Sequence, residues 1–260
     1  PAADFGSVIS RSRGVADAMS KGVQYLFKKY NITLINGFGK LAGENTVQVT
    51  AADNSVTEYK APHIVLATGA RSRELPGIKQ DGRRIIGYRE AMTLPSLPSS
   101  MVVIGSGAIG SEFAYFYQSL GTDVTLVEYL PRILPLEDEE VSRTVERSFK
   151  KMKMKILTAS SVESADTTGE KCSVVIKTPK GDVTVEADIV LSAAGITPNI
   201  EGIGLEEAGI KTEKGKVVVD EYYRTSVNGV YAIGDIVPGP ALAHVASAEA
   251  IVCVEKIAGA

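Results

Sequence analysis

The stretch Met101–Glu128, MVVIGSGAIGSEFAYFYQSLGTDVTLVE, decides how this chain is read. Met101–Ile104 is an apolar run of strand type. The turn GSGAIG, Gly105–Gly110, follows it and opens a helical segment. A second apolar run, VTLVE, closes on the carboxylate of Glu128, 18 residues past Gly110. A lone GxGxxG is a weak signal, but strand before and helix after is the context in which it carries chemistry. Gly105 permits the tight turn, Gly107 lets a pyrophosphate approach the backbone, and Gly110 lets the helix pack closely on the strand. The helix start offers unpaired N–H groups and roughly half a positive charge to that anion. Glu128 can accept bonds from both hydroxyls of an adenosine ribose and would repel a 2′-phosphate, so the pattern favours NAD over NADP.

Working outward, residues 7–30 have helical periodicity, with Val15, Met19, Val23, Leu26 and Phe27 on one face. Strand character begins in ITLINGFGKLAG, and TVQVT and SVTEY read as short alternating strands. HIVLATGA, His63–Ala70, is a buried-type strand ending in a glycine turn, and TLPSLPSS reads as a linker. A helix is expected over 137–152 and a strand at KILTAS. CSVVIKTPKGDVTVEA reads as a hairpin about Gly181. DIVLSAAGITPN and GVYAIGD repeat the theme of an apolar strand, small residues and glycine, and a last helix starts near Ala241. The order strand–glycine–helix, β-meander, strand ending in ATG or AAG occurs as a loose repeat. It implies an α/β fold of two related nucleotide-binding halves with a largely parallel sheet.

The chain has 260 residues, 44% hydrophobic and 23% charged, with a formal net charge of −3. That balance does not favour a nucleic-acid partner. Residues 91–111 carry no charge over about the length of a membrane span, yet Pro95, Pro98 and several serines break the run, so no membrane helix is expected. Cys172 and Cys253 stand far apart and outside any CxxC or CxxxxC, so they read as reduced core cysteines of a cytoplasmic protein. The chain begins at Pro1 without a Met and ends inside an apparent helix, which reads as a piece of something longer.

Other residues offer chemistry less directly. Asp235 follows YAIG and could bond a polyol hydroxyl or cap the next turn. GPALAH brings backbone N–H groups to the start of the last helix at Ala241, Leu242, Ala243 and His244, a second candidate anion or flavin-edge site. Glu112, one turn past the fingerprint, could face the nicotinamide or simply be solvated. His63 and His244 are the only histidines, and no Ser–His–Asp set or metal cluster is evident.

HIVLATGA, VVIGSGAIGSEFA, VTLVE, AAGITPN and GVYAIGD…ALAH, in this order, resemble the flavin-dependent pyridine nucleotide–disulfide oxidoreductases, and most of all their lipoamide-oxidising members. The resemblance implies two three-layer nucleotide-binding domains, each with a β-meander: an FAD domain (residues 1–95 and 199–260) interrupted by an NAD domain (residues 96–198). On this resemblance the family's C-terminal dimerisation domain is expected to be absent. It implies that Gly105, Ser106, Gly107, Ala108, Ile109 and Gly110 hold the NAD pyrophosphate, that Glu112 lies near the nicotinamide amide, and that Glu128 takes the adenosine ribose. Val162 would line the adenine pocket and Gly195 would touch NAD through its backbone. Gly39, Thr68, Gly69 and Ala70 match FAD contacts, Asp235 the ribityl region, and Ala241–His244 the pyrimidine edge of the flavin.

The family's first FAD-binding βαβ, its CxxxxC redox disulfide and its C-terminal His–Glu pair have no counterpart in the chain, so no catalytic residue is expected within it. The resemblance further implies a homodimeric full-length enzyme whose substrate is dihydrolipoamide on a lipoyl domain of a 2-oxo acid dehydrogenase or glycine cleavage complex. Two other readings stay open: an NADH oxidase-type flavoprotein, and an NAD(H)-binding module without turnover.

Overall fold

The computed structural model describes residues 4–259. They gather into two compact units, one of residues 4–26 with Ser72–Ile196, the other of Phe27–Arg71 with residues 197–259.

The first unit is built on a five-stranded parallel sheet. Its order is Ile85–Ile86, Ile189–Ser192, Ser100–Ile104, Asp123–Val127, Lys155–Leu157. Strands covered on both faces should be apolar throughout rather than alternating, and Met101, Val102, Val103 and Ile104 are all buried. Met101 and Val103 pack with Ala114, Tyr117, Val124, Leu126 and Phe149 on the helical side. Val102 and Ile104 pack with Cys172, Val174 and Ile176 on the other. That second layer is an antiparallel meander, Ser161–Asp166, Cys172–Thr178 and Gly181–Ala187. Its hairpin closes where Thr178 pairs with Gly181, which sits at φ +113°. The result is three layers, helix, sheet and meander.

Helix Ala108–Leu120 presents Gly110, Ser111, Ala114 and Tyr117 to the core and stops at Gly121, whose φ of 108° is left-handed. Helix Glu139–Lys151 starts where Asp138 accepts the Glu140 N–H at 2.8 Å. Glu139 and Glu140 in its first turn and Lys150 and Lys151 in its last complement the helix dipole.

The second unit has a parallel pair, Ile64–Leu66 beside Val230–Ala232, and a meander of Phe38–Leu41, Thr46–Thr50 and Val56–Lys60. A single 3₁₀ turn, Gly234–Ile236, leads on towards helix Ala243–Ile257. Leu41, Ile64, Leu66, Val230, Ala232 and Ile236 share its main core. Cys172 and Cys253 are free and buried, and burial pushes both thiols up. No helix among the described residues is long and apolar enough to cross a membrane.

The mixed α/β character, the parallel sheet and one meander per unit follow the sequence reading. Two features differ. The first helix, Phe5–Lys29, buries only Phe5, while Val15, Met19, Val23 and Leu26 are 46–70% exposed. Periodicity marks which side of a helix favours burial, not what covers it. Strand structure begins at Phe38 rather than in ITLIN, and Ile32, Leu34 and Ile35 are exposed without a ladder partner among the described residues. The strand Ser161–Asp166 was not anticipated. Polar residues interrupt its alternation, and the register shifts between Val162 and Ser164.

Tyr117 is fully buried and donates its hydroxyl hydrogen to the Ala91 carbonyl. Burial pushes the phenol from 10.0 up to about 12. A folded-state pKa raised above the unfolded value means the fold favours the neutral phenol, so the contribution is complete below pH 10 and is lost as pH rises towards 12. In alkaline denaturant titrations, stability should fall by roughly 2–3 kcal/mol across that window. Tyr117→Phe should flatten the slope while costing about 1–3 kcal/mol at neutral pH through the orphaned Ala91 carbonyl.

Candidate functional site

The parallel strands deliver their carboxyl ends to one edge of the sheet, where open α/β sheets bind ligands. Gly105 follows strand Ser100–Ile104, and its N–H donates to the Val127 carbonyl at 2.8 Å. Its φ of +95° is left-handed, and a Cβ there would lie 2.6 Å from the Ala193 carbonyl oxygen. Gly110, in the first turn of the helix, lies so close to Gly105 that a Cβ would overlap the Gly105 carbonyl oxygen. Gly107 behaves differently: it is exposed, and a Cβ there would meet nothing within 4 Å. Two of the three glycines are therefore required by the protein's own packing, and the third keeps space open for something outside it.

Ala108 is exposed and Ile109 half-buried against the helical core. Helix geometry leaves the first N–H groups without intrahelical acceptors, and no described residue accepts from Gly107, Ala108, Ile109 or Gly110. Free amides at a helix start are the kind of group that can bind an anion. Ser106 is not part of this open face. It is fully buried, and its N–H and hydroxyl both donate to Glu128 Oε2, at 2.8 and 2.7 Å. Its carbonyl accepts from Ser111 Oγ at 2.9 Å and Leu134 N at 3.0 Å.

Glu128 stands at the end of the neighbouring strand, only 7% exposed. Oε1 accepts the Leu130 N–H at 2.8 Å. Its backbone N–H donates to Leu157 and its carbonyl accepts from Ser160, which brings the start of the meander, with half-buried Val162, alongside. Arg132 follows four residues on. Its guanidinium is taken by the Pro135 and Glu137 carbonyls at 3.1 and 3.2 Å. Gly195, at φ +106°, lies two residues past Ala193, whose N–H bonds the Ile104 carbonyl. Gly105–Gly110, Glu128, Val162 and Gly195 are thus brought to adjoining strand ends. Glu112 is exposed beside an apolar groove of about 280 Å³ that Phe113, Phe116, Val8 and Ile9 help to line.

In the second unit, Gly39 and Thr68 line one groove of about 450 Å³ with Phe38, Arg71, Asn199 and Glu201. Asn199 latches the turn: its N–H bonds the Gly69 carbonyl at 2.8 Å, its side-chain amide bonds the Thr68 carbonyl at 3.0 Å, and its own carbonyl accepts the Thr68 hydroxyl at 2.6 Å. Arg71 binds Glu201 through two nitrogens at 2.9 and 3.0 Å and holds that carboxyl down at about 2. Ala70 follows half-buried. Asp235 sits half-buried in the 3₁₀ turn after the adjacent parallel strand, so Thr68–Gly69 and Asp235 leave the same pair of strand ends. Asp235 neither caps that turn nor finds a partner among the described residues, which leaves its carboxylate free to accept. Ala241, Leu242, Ala243 and His244 are exposed at the start of the last helix. The His63 ring lies 5.9 Å from that of Tyr231, tilted by 53°, and is a structural neighbour of that strand.

Two contributors escaped the sequence reading. Asn199 was quoted only as the end of a motif. Glu249, 6% exposed, holds the Gly234 N–H at 2.6 Å. Its signal was a carboxylate four residues before Cys253 on the buried face of a helix. Ser106 was counted as a diphosphate contact, whereas its polar groups face inward.

This arrangement defines an α/β protein of the doubly wound class. The profile of the family described as pyridine nucleotide-disulphide oxidoreductase matches residues 2–250, and the chain belongs to that family. It is 43% identical over 271 residues to a dihydrolipoyl dehydrogenase of Rhizobium etli, covering 98% of this chain and 56% of that one. It is 41% identical to a dihydrolipoyl dehydrogenase of Mycobacterium tuberculosis, covering 99% and 55% respectively. The chain therefore spans about half the length of the curated relatives it matches. Among solved structures, LpdA from Mycobacterium tuberculosis superimposes with a TM-score of 0.92 at 31% identity, over 100% of this chain and 57% of that one. The Escherichia coli flavoprotein disulfide reductase RclA, at 23% identity and a TM-score of 0.87, shares the fold.

The glycines make opposite predictions. Gly107→Ala should leave thermal unfolding nearly unchanged yet weaken dinucleotide binding about tenfold or more, read by NADH fluorescence titration. Gly110→Ala should lose several kcal/mol of stability, because the Gly105 backbone must move. Equal unfolding midpoints for the two variants would contradict the packing argument.

Proposed function

We propose that this chain is the NAD-binding region, with adjoining parts of the FAD-binding region, of a dihydrolipoyl dehydrogenase. Such an enzyme oxidises dihydrolipoamide through a redox disulfide and FAD and reduces NAD⁺ to NADH. The observation that carries the reading is the inward-facing pair Gly105 and Gly110 around an open Gly107, with a buried Glu128 at the next strand end. The names of the relatives support the choice within the family. The proposed domain limits are residues 1–95 and 199–260 for FAD and 96–198 for NAD.

In this reading the amides of Gly107–Gly110 bind and orient the diphosphate of NAD, whose nicotinamide end lies towards Glu112. Gly195 offers backbone contacts, and Val162 flanks the adenine. Glu128 accepts from the ribose, and its negative charge disfavours a 2′-phosphate there. On the flavin side, Gly39, Thr68–Ala70, Asp235 and the Ala241–His244 turn fit a polyol and an amide-rich ring edge: Asp235 has a free carboxylate, and the turn has exposed backbone. FAD, when bound, supplies two-electron transfer between a disulfide and nicotinamide. The implied partner is dihydrolipoamide on a lipoyl domain of a 2-oxo acid dehydrogenase or glycine cleavage complex. The implied assembly is a homodimer in the cytoplasm, without nucleic acid or membrane.

The two cysteines of the chain are buried, free and driven towards the thiol form, so neither can serve as the electron-accepting disulfide. The 260-residue chain should accordingly bind NADH at least tenfold more tightly than NADPH in fluorescence titration and give no lipoamide-dependent NADH production. Tight NADPH binding with indifference to NADH would overturn the coenzyme reading. Turnover with dihydrolipoamide would overturn the claim that the chain lacks the reacting disulfide.

A further inference from the structure

Glu128 has four acceptor positions, two per oxygen. The Ser106 N–H and hydroxyl fill both on Oε2, and the Leu130 N–H fills one on Oε1. One position remains, on Oε1. The pairing on Oε2 is entirely buried on the serine side, since Ser106 is fully enclosed and Glu128 only 7% exposed. Ser106 itself is pinned through its carbonyl by Ser111 Oγ and by Leu134 N. Rotating the carboxylate to free Oε2 would leave a buried N–H and a buried hydroxyl unpaired, which is costly.

We infer that Ser106 is a positioning residue for coenzyme recognition: it fixes Glu128 so that the carboxylate takes a single hydroxyl of the adenosine ribose, through Oε1, rather than both. This deepens the coenzyme assignment made above and rests on it. It narrows the sequence expectation that Glu128 can accept from both hydroxyls. The reason is physical: the sequence shows a carboxylate at a strand end but not that one of its oxygens is occupied by the loop it adjoins.

The test is an equilibrium titration of the 260-residue chain with NADH and with its two analogues lacking the 2′- or the 3′-hydroxyl of the adenosine ribose, followed by nicotinamide fluorescence. One analogue should bind about tenfold or more weakly than NADH, the other within about threefold. Ser106→Ala, checked by its unfolding midpoint, frees a position on Oε2 and should shrink the ratio between the two analogues, an effect that a loss of stability alone would not produce. Equal weakening of both analogues in the unmodified chain would show two-hydroxyl recognition and overturn the inference. Equal, undiminished binding of both would show that Glu128 does not read the ribose, overturning it as well. Absence of NADH binding would instead strike the coenzyme assignment on which it rests.

Discussion

The close backbone crossing at Gly105 and Gly110 is the constraint on which the rest of the first unit depends. The helix can lie against the sheet only because neither position carries a Cβ: the Gly105 carbonyl oxygen fills the space that a Gly110 side chain would need. That approach sets Ala114 and Tyr117 into the core beside Met101, Val103 and Val124. It also aims the helix start out of the carboxyl edge of the sheet. The exposed amides are thus a by-product of packing: those from Gly107 onward project where they do because the two glycines flanking Gly107 let the chain fold back on itself.

Electrostatics then closes the turn. The loop between strand and helix could adopt many conformations, but the Ser106 N–H and hydroxyl are both anchored on one oxygen of Glu128. The same acid ties down the Leu130 N–H, and through its backbone carbonyl it meets Ser160. One buried glutamate, through its carboxylate and its backbone, therefore links the fingerprint turn, the loop that follows the second strand and the segment entering the meander. Hydrogen bonds of this charge-assisted kind each contribute about 1.5–3 kcal/mol when well made. The second unit solves a similar problem with neutral groups, Asn199 bonding both Thr68 and Gly69, and with Glu249 holding the Gly234 N–H.

Much of this was legible in the sequence, for identifiable reasons. Fully covered parallel strands must be apolar on both faces, so VVI and VTLV showed themselves, and the spacing of Gly105, Gly107 and Gly110 announced the turn. The hairpin at Gly181 was equally plain, because two alternating runs flank a short Pro–Lys loop. What was hidden depends on three-dimensional approach. Ser106 looks like any spacer until its 0% exposure and its two bonds to Glu128 are seen. Glu249 lies in a run of small apolar residues where a carboxylate gives no hint of a distant backbone partner. The apolar stripe on Phe5–Lys29 was correctly periodic, yet its period could not reveal that Val15, Met19 and Val23 stay exposed.

The central claim is that the amides opening the fingerprint helix hold a dinucleotide diphosphate. Backbone amide chemical-shift mapping of the ¹⁵N-labelled chain during titration with NADH tests it most directly. The account predicts that the largest shifts fall on Gly107, Ala108, Ile109 and Gly110, with smaller ones at Leu130 and Gly195. Saturable shifts confined to residues 37–39, 68–71 and 199–203, or none at all at millimolar NADH, would contradict it.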